Sequence, residues 1–214
     1  MDYALYGITT GLIGTSLSLY QILKLTPNVK ISSSSFARLS LKAAPIHCGL
    51  KAGQFAISTH FKKEINPWVS FGIIGALQGG IYGQLNIYLR KSLKIGNNLN
   101  YAMSRRGMIT AILRDIISQG FPYMFTPKLD KIIDNRSVSI ISTSILSTII
   151  SHPFHILQVT MQTNPQLNYY TSIDKLIRNY GTNMLYRGVE GRLTLLLSIN
   201  IINDTILRKF WENS

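Results

Sequence analysis

Three stretches of this chain contain no Asp, Glu, Lys or Arg: Tyr3 to Leu23 and Val69 to Leu89, 21 residues each, and Ser137 to Gln162, 26 residues. As helices rising about 1.5 Å per residue, each is long enough to cross roughly 30 Å of hydrocarbon. Three weaker apolar stretches alternate with them, Leu39 to Ile57, Met108 to Phe125 and Leu193 to Leu207. These carry Lys42, Lys51, Arg114, Asp115 and Asp204. A lipid-facing surface rejects such charges, whereas a bundle interior or aqueous cavity accepts them. The pattern therefore predicts an all-α integral membrane protein of six transmembrane helices. The competing reading makes the three weaker stretches amphipathic surface helices of a water-soluble protein.

The placement of charge supports the first reading. The net charge is +13, which suits either a nucleic acid or an anionic membrane surface. Bases without acids follow the first run (Lys24, Lys30, Arg38, Lys42) and the third (Arg90, Lys91, Lys94, Arg105, Arg106). After the fifth come Lys175, Arg178, Arg187 and Arg192 against Asp174 and Glu190, while the turns after the second and fourth mix both signs. This alternation is what the positive-inside rule gives for six spans with both termini on the less positive side. No nucleic-acid motif accompanies the basicity, and no nucleic-acid partner is expected.

Cys48 stands alone, so an internal disulfide is impossible. The start, Met1-Asp2-Tyr3, has neither a basic, Ser-rich presequence nor a basic n-region with a cleavage site. The first apolar run is expected to be a retained span. No G-x-S-x-G, H-E-x-x-H or P-loop pattern occurs, and the chain is not expected to be an enzyme.

Small residues recur at helical spacing in the odd-numbered runs: Gly7, Gly11 and Gly14, then Gly72, Gly75, Gly79, Gly80 and Gly83, then serines at 137, 139, 142, 144, 147 and 151. Such faces let helix backbones approach closely in lipid. The even-numbered runs share another feature. RRGMITAILRD from Arg105 and YRGVEGRLTLL from Tyr186 each place Arg-Gly just before an apolar helix. A glycine there lets the chain turn into the next span. These features divide the chain into three helix-hairpin repeats, about 1–65, 66–134 and 135–214.

From His152 to Leu193 the chain reads HPFHILQVTMQTNPQLNYYTSIDKLIRNYGTNMLYRGVEGRL. This resembles a repeat of the mitochondrial carrier family: a proline-kinked odd helix with P-x-[DE]-x-x-[KR] and a trailing glutamine, a surface helix opening near Y-x-x-x-D, then L-Y-R-G. Pro153 matches the proline, Gln162 the glutamine, Tyr170 and Asp174 the surface helix, and Leu185-Tyr186-Arg187-Gly188 the entry to the even helix. RRGMITAILRDIISQGFPYMF resembles an even helix of the same family, while the first 65 residues match only in pattern. The resemblance implies a six-transmembrane-helix bundle of three pseudo-repeats in the mitochondrial inner membrane, with both termini facing the intermembrane space. It implies structural cardiolipin at Gly181, Tyr186, Arg187 and Gly188 and at Arg106 and Gly107, where helix N-termini suit a phosphate. No other cofactor and no metal is expected.

The chain departs from the family where carriers hold their gate. In the third repeat His155 stands at the acid position and Gln158 at the basic one; in the second, Gln84, Asn86 and Leu89 stand at the proline, acid and base; in the first, Leu19, Gln21 and Lys24. One charge of six survives, so an ion-pair gate cannot form in the family's manner. The repeats average about 71 residues where a carrier has about 100, and little room remains for a surface helix in the first two copies. The departures predict a shortened, non-transporting accessory subunit of an inner-membrane complex of the respiratory chain, with cytochrome c oxidase or a supercomplex first. Its expected partners are the subunits of that complex and membrane lipids. The alternative is an active carrier exchanging an anionic metabolite through a cavity containing Arg114 and the lysines of the second span. A channel-like import component, suggested by the Gly-rich third run, is a further class. Arg114 is either a substrate contact or a structural partner of Asp115, and His152, His155, His47 and His60 raise haem or metal ligation only by spacing.

Overall fold

The computed structural model describes residues 3–25, 29–61, 67–95, 106–164 and 166–211. The chain is all-helical, with no strand among these residues. In order the helices are α1 (Tyr3–Leu25), α2 (Ser33–Phe61), α3 (Pro67–Ser92), α4 (Met108–Asp115), α5 (Phe121–Ile133), α6 (Arg136–Thr163), α7 (Tyr169–Tyr180) and α8 (Val189–Trp211). A π turn, Ile116–Gly120, joins α4 and α5 into one continuous rod, and a 3₁₀ turn, Gly181–Tyr186, links α7 to α8. Pro122 cannot donate an N–H to the Ser118 carbonyl, and the hydrogen-bond ladder widens just before it.

Six long rods result, and they close a ring in chain order. α1 packs on α2, α2 on α3, α3 on α4, the α4–α5 rod on α6, α6 on α8, and α8 back on α1. Short α7 lies against α6 at the rim. Asn168 caps α7 in a reciprocal box with Thr171, and Asn135 caps α6 by accepting from the Val138 N–H at 3.1 Å. The two Arg-Gly turns adopt one conformation: Gly107 and Gly188 both have φ +71° and both precede an even-numbered rod. A side chain strains that left-handed region, which explains glycine at each.

Among the described residues α6 alone is a helix both long and apolar enough to cross a membrane, against the six expected. The other rods are diluted by Ser, Thr, Gly and Tyr in α1, by Lys42 and Lys51 in α2, and by Asp204 in α8. Several rods nonetheless turn polar side chains inward and apolar ones outward. On α6 the buried face is Ser139, Thr143, Ser144, Ser147, Thr148, Ser151, His152, His155, Gln158 and Gln162, with only Ile140, Ile156 and Met161 apolar. Its outward face is Val138, Ile141, Ile145, Leu146, Ile149 and Ile150, each between 37% and 46% exposed. α1 repeats this, burying Thr10, Thr15, Ser18 and Gln21 while exposing Ile8, Leu12 and Ile13; α4 buries Arg114 and Asp115 and exposes Ile109 and Leu113.

Hydroxyls make such an interior tolerable because they bond back to their own helix. Thr143 donates to the Ser139 carbonyl at 2.8 Å, Thr148 to Ser144 at 2.7 Å, and Thr10 to Tyr6 at 2.6 Å. Others cross between rods: Thr126 donates to Thr143 Oγ1 at 2.7 Å, and Asn200 donates to Ser144 Oγ at 2.8 Å. α1 and α2 touch backbone to backbone, since a Cβ at Gly11 would lie 2.5 Å from Cys48 Cα. An apolar cluster of Leu19, Ile22, Ala43, Leu85, Leu89 and Ile95 ties α1, α2 and α3 together near one rim.

Candidate functional site: a cationic cavity at the ring centre

Every rod sends a buried side chain to one central cavity. Odd rods end near it and α4 and α8 begin near it, so Gln21 of α1, Asn86 and Arg90 of α3, Arg114 and Asp115 of α4, His155 of α6 and Arg192 of α8 meet, with Lys51 arriving from α2. The cavity is narrow, with about 40 Å³ open to the centre of a water-sized sphere. Ile22, Leu195, Leu196 and Ile199 form an aliphatic wall on the α1–α8 side, facing the charged residues of α2, α3 and α4.

The charge balance is lopsided. Lys51, Arg90, Arg114 and Arg192 are each 2–3% exposed, and Asp115 is the one acid lining the cavity among the described residues. Arg114 grips Asp115 through two contacts, Nε to Oδ1 and Nη2 to Oδ2, both 2.6 Å. It also donates from Nη1 to Gln158 Oε1 at 2.7 Å and lies 3.5 Å from His155 Nδ1, tying α4 to α6. Arg192 donates to Ser151 Oγ at 3.0 Å. Arg90 Nε, His155 Nε2 and Gln158 Nε2 are buried without a hydrogen bond. Buried guanidinium groups ordinarily sit against carboxylates, because an uncompensated buried charge is costly. A cavity with four cations and one carboxylate is therefore suited to an anion.

The positions read as a degenerate gate converge in part. Gln21, Asn86 and His155, the three residues at the expected acid positions, all line this cavity, and none of them is an acid. Of the basic register, Gln158 is buried against Arg114, Leu89 belongs to the apolar cluster, and Lys24 is exposed. Gln84 is exposed, Pro153 is half-buried inside α6, and Gln162 is fully buried with neither amide atom hydrogen-bonded. Arg114 and Asp115 pair with each other and also sit in the cavity, so neither of the two readings of Arg114 excludes the other.

The residues assigned to lipid lie at the rim. Tyr186 and Arg187 are exposed, and the Arg187 guanidinium stacks 4.7 Å from the Tyr180 ring. Gly188 precedes α8 as expected, and Gly107 is the residue before α4. Gly181 requires a correction: it closes the C-terminus of α7 and opens a 3₁₀ turn, so no α-helix N-terminus stands there. Arg106 donates to the Leu167 carbonyl at 2.6 Å, joining the turn before α4 to the one before α7. His152 bonds the Arg187 carbonyl at 3.0 Å and His47 bonds Thr15 at 3.0 Å, while the His60 side chain falls outside the described residues.

Sequence reasoning placed Arg90 and Arg192 in basic segments between spans, whereas both are interior. The signal was available: Arg90 follows Asn86 by four residues and so shares its helix face, and Arg192 follows Gly188 by four, one turn into α8. No protein-family model and no curated protein matches this chain.

Proposed function

We propose that the protein is an integral membrane carrier, a ring of six spans in three hairpin repeats, which binds an anionic metabolite at its centre and exchanges it across the mitochondrial inner membrane. The membrane part is supported by the rods that turn polar side chains inward and apolar ones outward. A soluble protein exposes apolar atoms singly, but it does not bury a continuous Ser/Thr/His/Gln stripe beneath an outer face of Ile and Leu. Lipid accepts that outer face, and the interior then holds the polar groups that lipid rejects. The anion is supported by one observation above the others: Lys51, Arg90, Arg114 and Arg192 are buried around one cavity with Asp115 as their one lining acid among the described residues.

Purified protein in liposomes tests this. Uptake of a labelled carboxylate or nucleotide against the same anion inside is expected to saturate and to be lost in Arg90→Gln. No exchange of any small anion by folded wild-type protein would remove the transport reading.

The neutral trio Gln21, Asn86 and His155 favours a second reading. Without opposite charges at that level the two end states are not separately stabilised, and the chain serves as a non-transporting accessory subunit of a respiratory-chain complex. The exposed tyrosines and bases of the α7 rim, Tyr170, Tyr180, Lys175 and Arg187, suit cardiolipin or neighbouring subunits under either reading. Migration with a megadalton particle on a native gel, together with failure of exchange, would select it.

A further inference from the structure

Asp115 is an odd residue to find in a cavity built for anions. Adjacent residues on an α-helix point about 100° apart and do not ordinarily face each other. Here both side chains bend to a common point, and the bidentate contact at 2.6 Å is made between neighbours in sequence, 7% and 3% exposed. The π turn starts at the next residue, Ile116. Lys51 lines the same cavity. Four cations and one carboxylate give the described lining a charge of 4 − 1 = +3, leaving His155 aside.

We infer that Asp115 is a built-in counter-ion: it occupies Arg114 as a ligand carboxylate would, competes with the ligand for that guanidinium, and so sets how strongly the cavity favours more highly charged anions. This rests on the anion-binding reading of the cavity. The carboxylate cancels one unit of positive charge, and its two oxygens cover the Nε and Nη2 edge of Arg114, the edge best shaped for bidentate recognition. What remains for a ligand is Lys51, Arg90 and Arg192 around the same cavity, where Arg90 Nε and His155 Nε2 are buried without a hydrogen bond. Arg114 meanwhile holds Gln158 and reaches His155, so it also fixes the distance between α4 and α6.

A purely structural role makes the opposite forecast. If Asp115 only neutralises Arg114, removing it leaves a buried guanidinium uncompensated and lowers stability, and binding weakens by one factor for every ligand. If Asp115 is a counter-ion, removing it tightens binding, and the gain grows with ligand charge because Coulomb energy scales with that charge. At roughly 6–8 Å and an effective dielectric near 20, a unit charge changes affinity by up to about a hundredfold per ligand charge, with screening reducing this.

The test is titration calorimetry on the full chain in detergent, wild type against Asp115→Asn, with acetate, malonate and tricarballylate at constant ionic strength. The expected result is at least twofold tighter binding of acetate, at least fivefold of malonate, and a larger gain for tricarballylate. An equal or weaker affinity across the series, or one uniform ratio, overturns the inference while leaving the anion site in place. Absence of binding of all three ligands and of nucleoside triphosphate by folded wild type defeats the anion reading itself. Asp115→Ser carries the same test should Asp115→Asn fail to fold. Failure of both to fold assigns the carboxylate to structure and overturns the proposal.

Discussion

An arginine placed at Ile149 distinguishes a lipid-facing rod from a water-facing one. α6 has 28 residues, so Ile149 is near its midpoint, and its side chain is 42% exposed on the outward face. A helix of that length extends about 42 Å, leaving Ile149 close to the centre of a 30 Å hydrocarbon layer. Insertion measurements put Arg there at about 2.5–3.5 kcal/mol, and Ile contributes about −0.5 kcal/mol, so the change costs roughly 3–4 kcal/mol. On a water-exposed surface the same substitution stays within about 0.5 kcal/mol. The assay is carbonate-resistant retention of the full chain in liposomes, with thermal melting in detergent alongside. Ile149→Arg is expected to cut stable insertion by roughly two to three orders of magnitude, and Ile149→Phe is expected to be silent. Unchanged behaviour of Ile149→Arg, with a wild type that stays monomeric without detergent, would refute the lipid-facing assignment.

Three further outcomes follow from the packing. Gly11→Val pushes a side chain into the Cys48 backbone and is expected to cost about 1–3 kcal/mol, whereas Gly49→Ala, with nothing within 4 Å of its Cβ, is neutral or gains up to about 1 kcal/mol; thermal melting separates the two. Asn168→Ala removes the capping box of α7 and is expected to cost about 1 kcal/mol, read as faster amide exchange confined to residues 169–180. Arg136, 2.6 Å from Asp204 and 3.6 Å from Asp130, is half-buried at the rim opposite the cavity; Arg136→Ala is expected to lower the melting temperature by a few degrees at low salt and by less at high salt.

Much of the helical plan was legible. The charge-free runs became α1, α3 and α6, and the Arg-Gly pairs marked where α4 and α8 begin, because glycine at φ +71° is a local requirement written in the sequence. Tyr170 and Asp174 located α7, although its cap, Asn168, lies one residue before Tyr169 and supplies the actual start signal. Closure of the ring was not legible, since it depends on contacts between α1 and α8, at opposite ends of the chain. The cavity was legible only in part: Arg114 and the lysines of the second span were expected in one, but Arg90 and Arg192, 102 positions apart (192 − 90), each read at a span edge as an ordinary basic flank. The neutral residues at the positions where the resemblance expects acids argued against transport when viewed along the chain. In three dimensions those neutral residues border a cationic cavity whose own carboxylate comes from α4. The π turn at Ile116–Gly120 had only Gly120 and Pro122 to announce it.

The most direct test of a central anion site is ligand-induced stabilisation of the purified full chain. Melting is followed in detergent with malonate, tricarballylate or nucleoside triphosphate, each against chloride at equal ionic strength. A ligand at a hundred times its Kd adds about 2.7 kcal/mol to the folded state, and at least one of these anions is expected to raise the midpoint by several degrees in wild type and by much less in Arg90→Gln. An identical midpoint in chloride and in every anion, or an equal rise in Arg90→Gln, would contradict it.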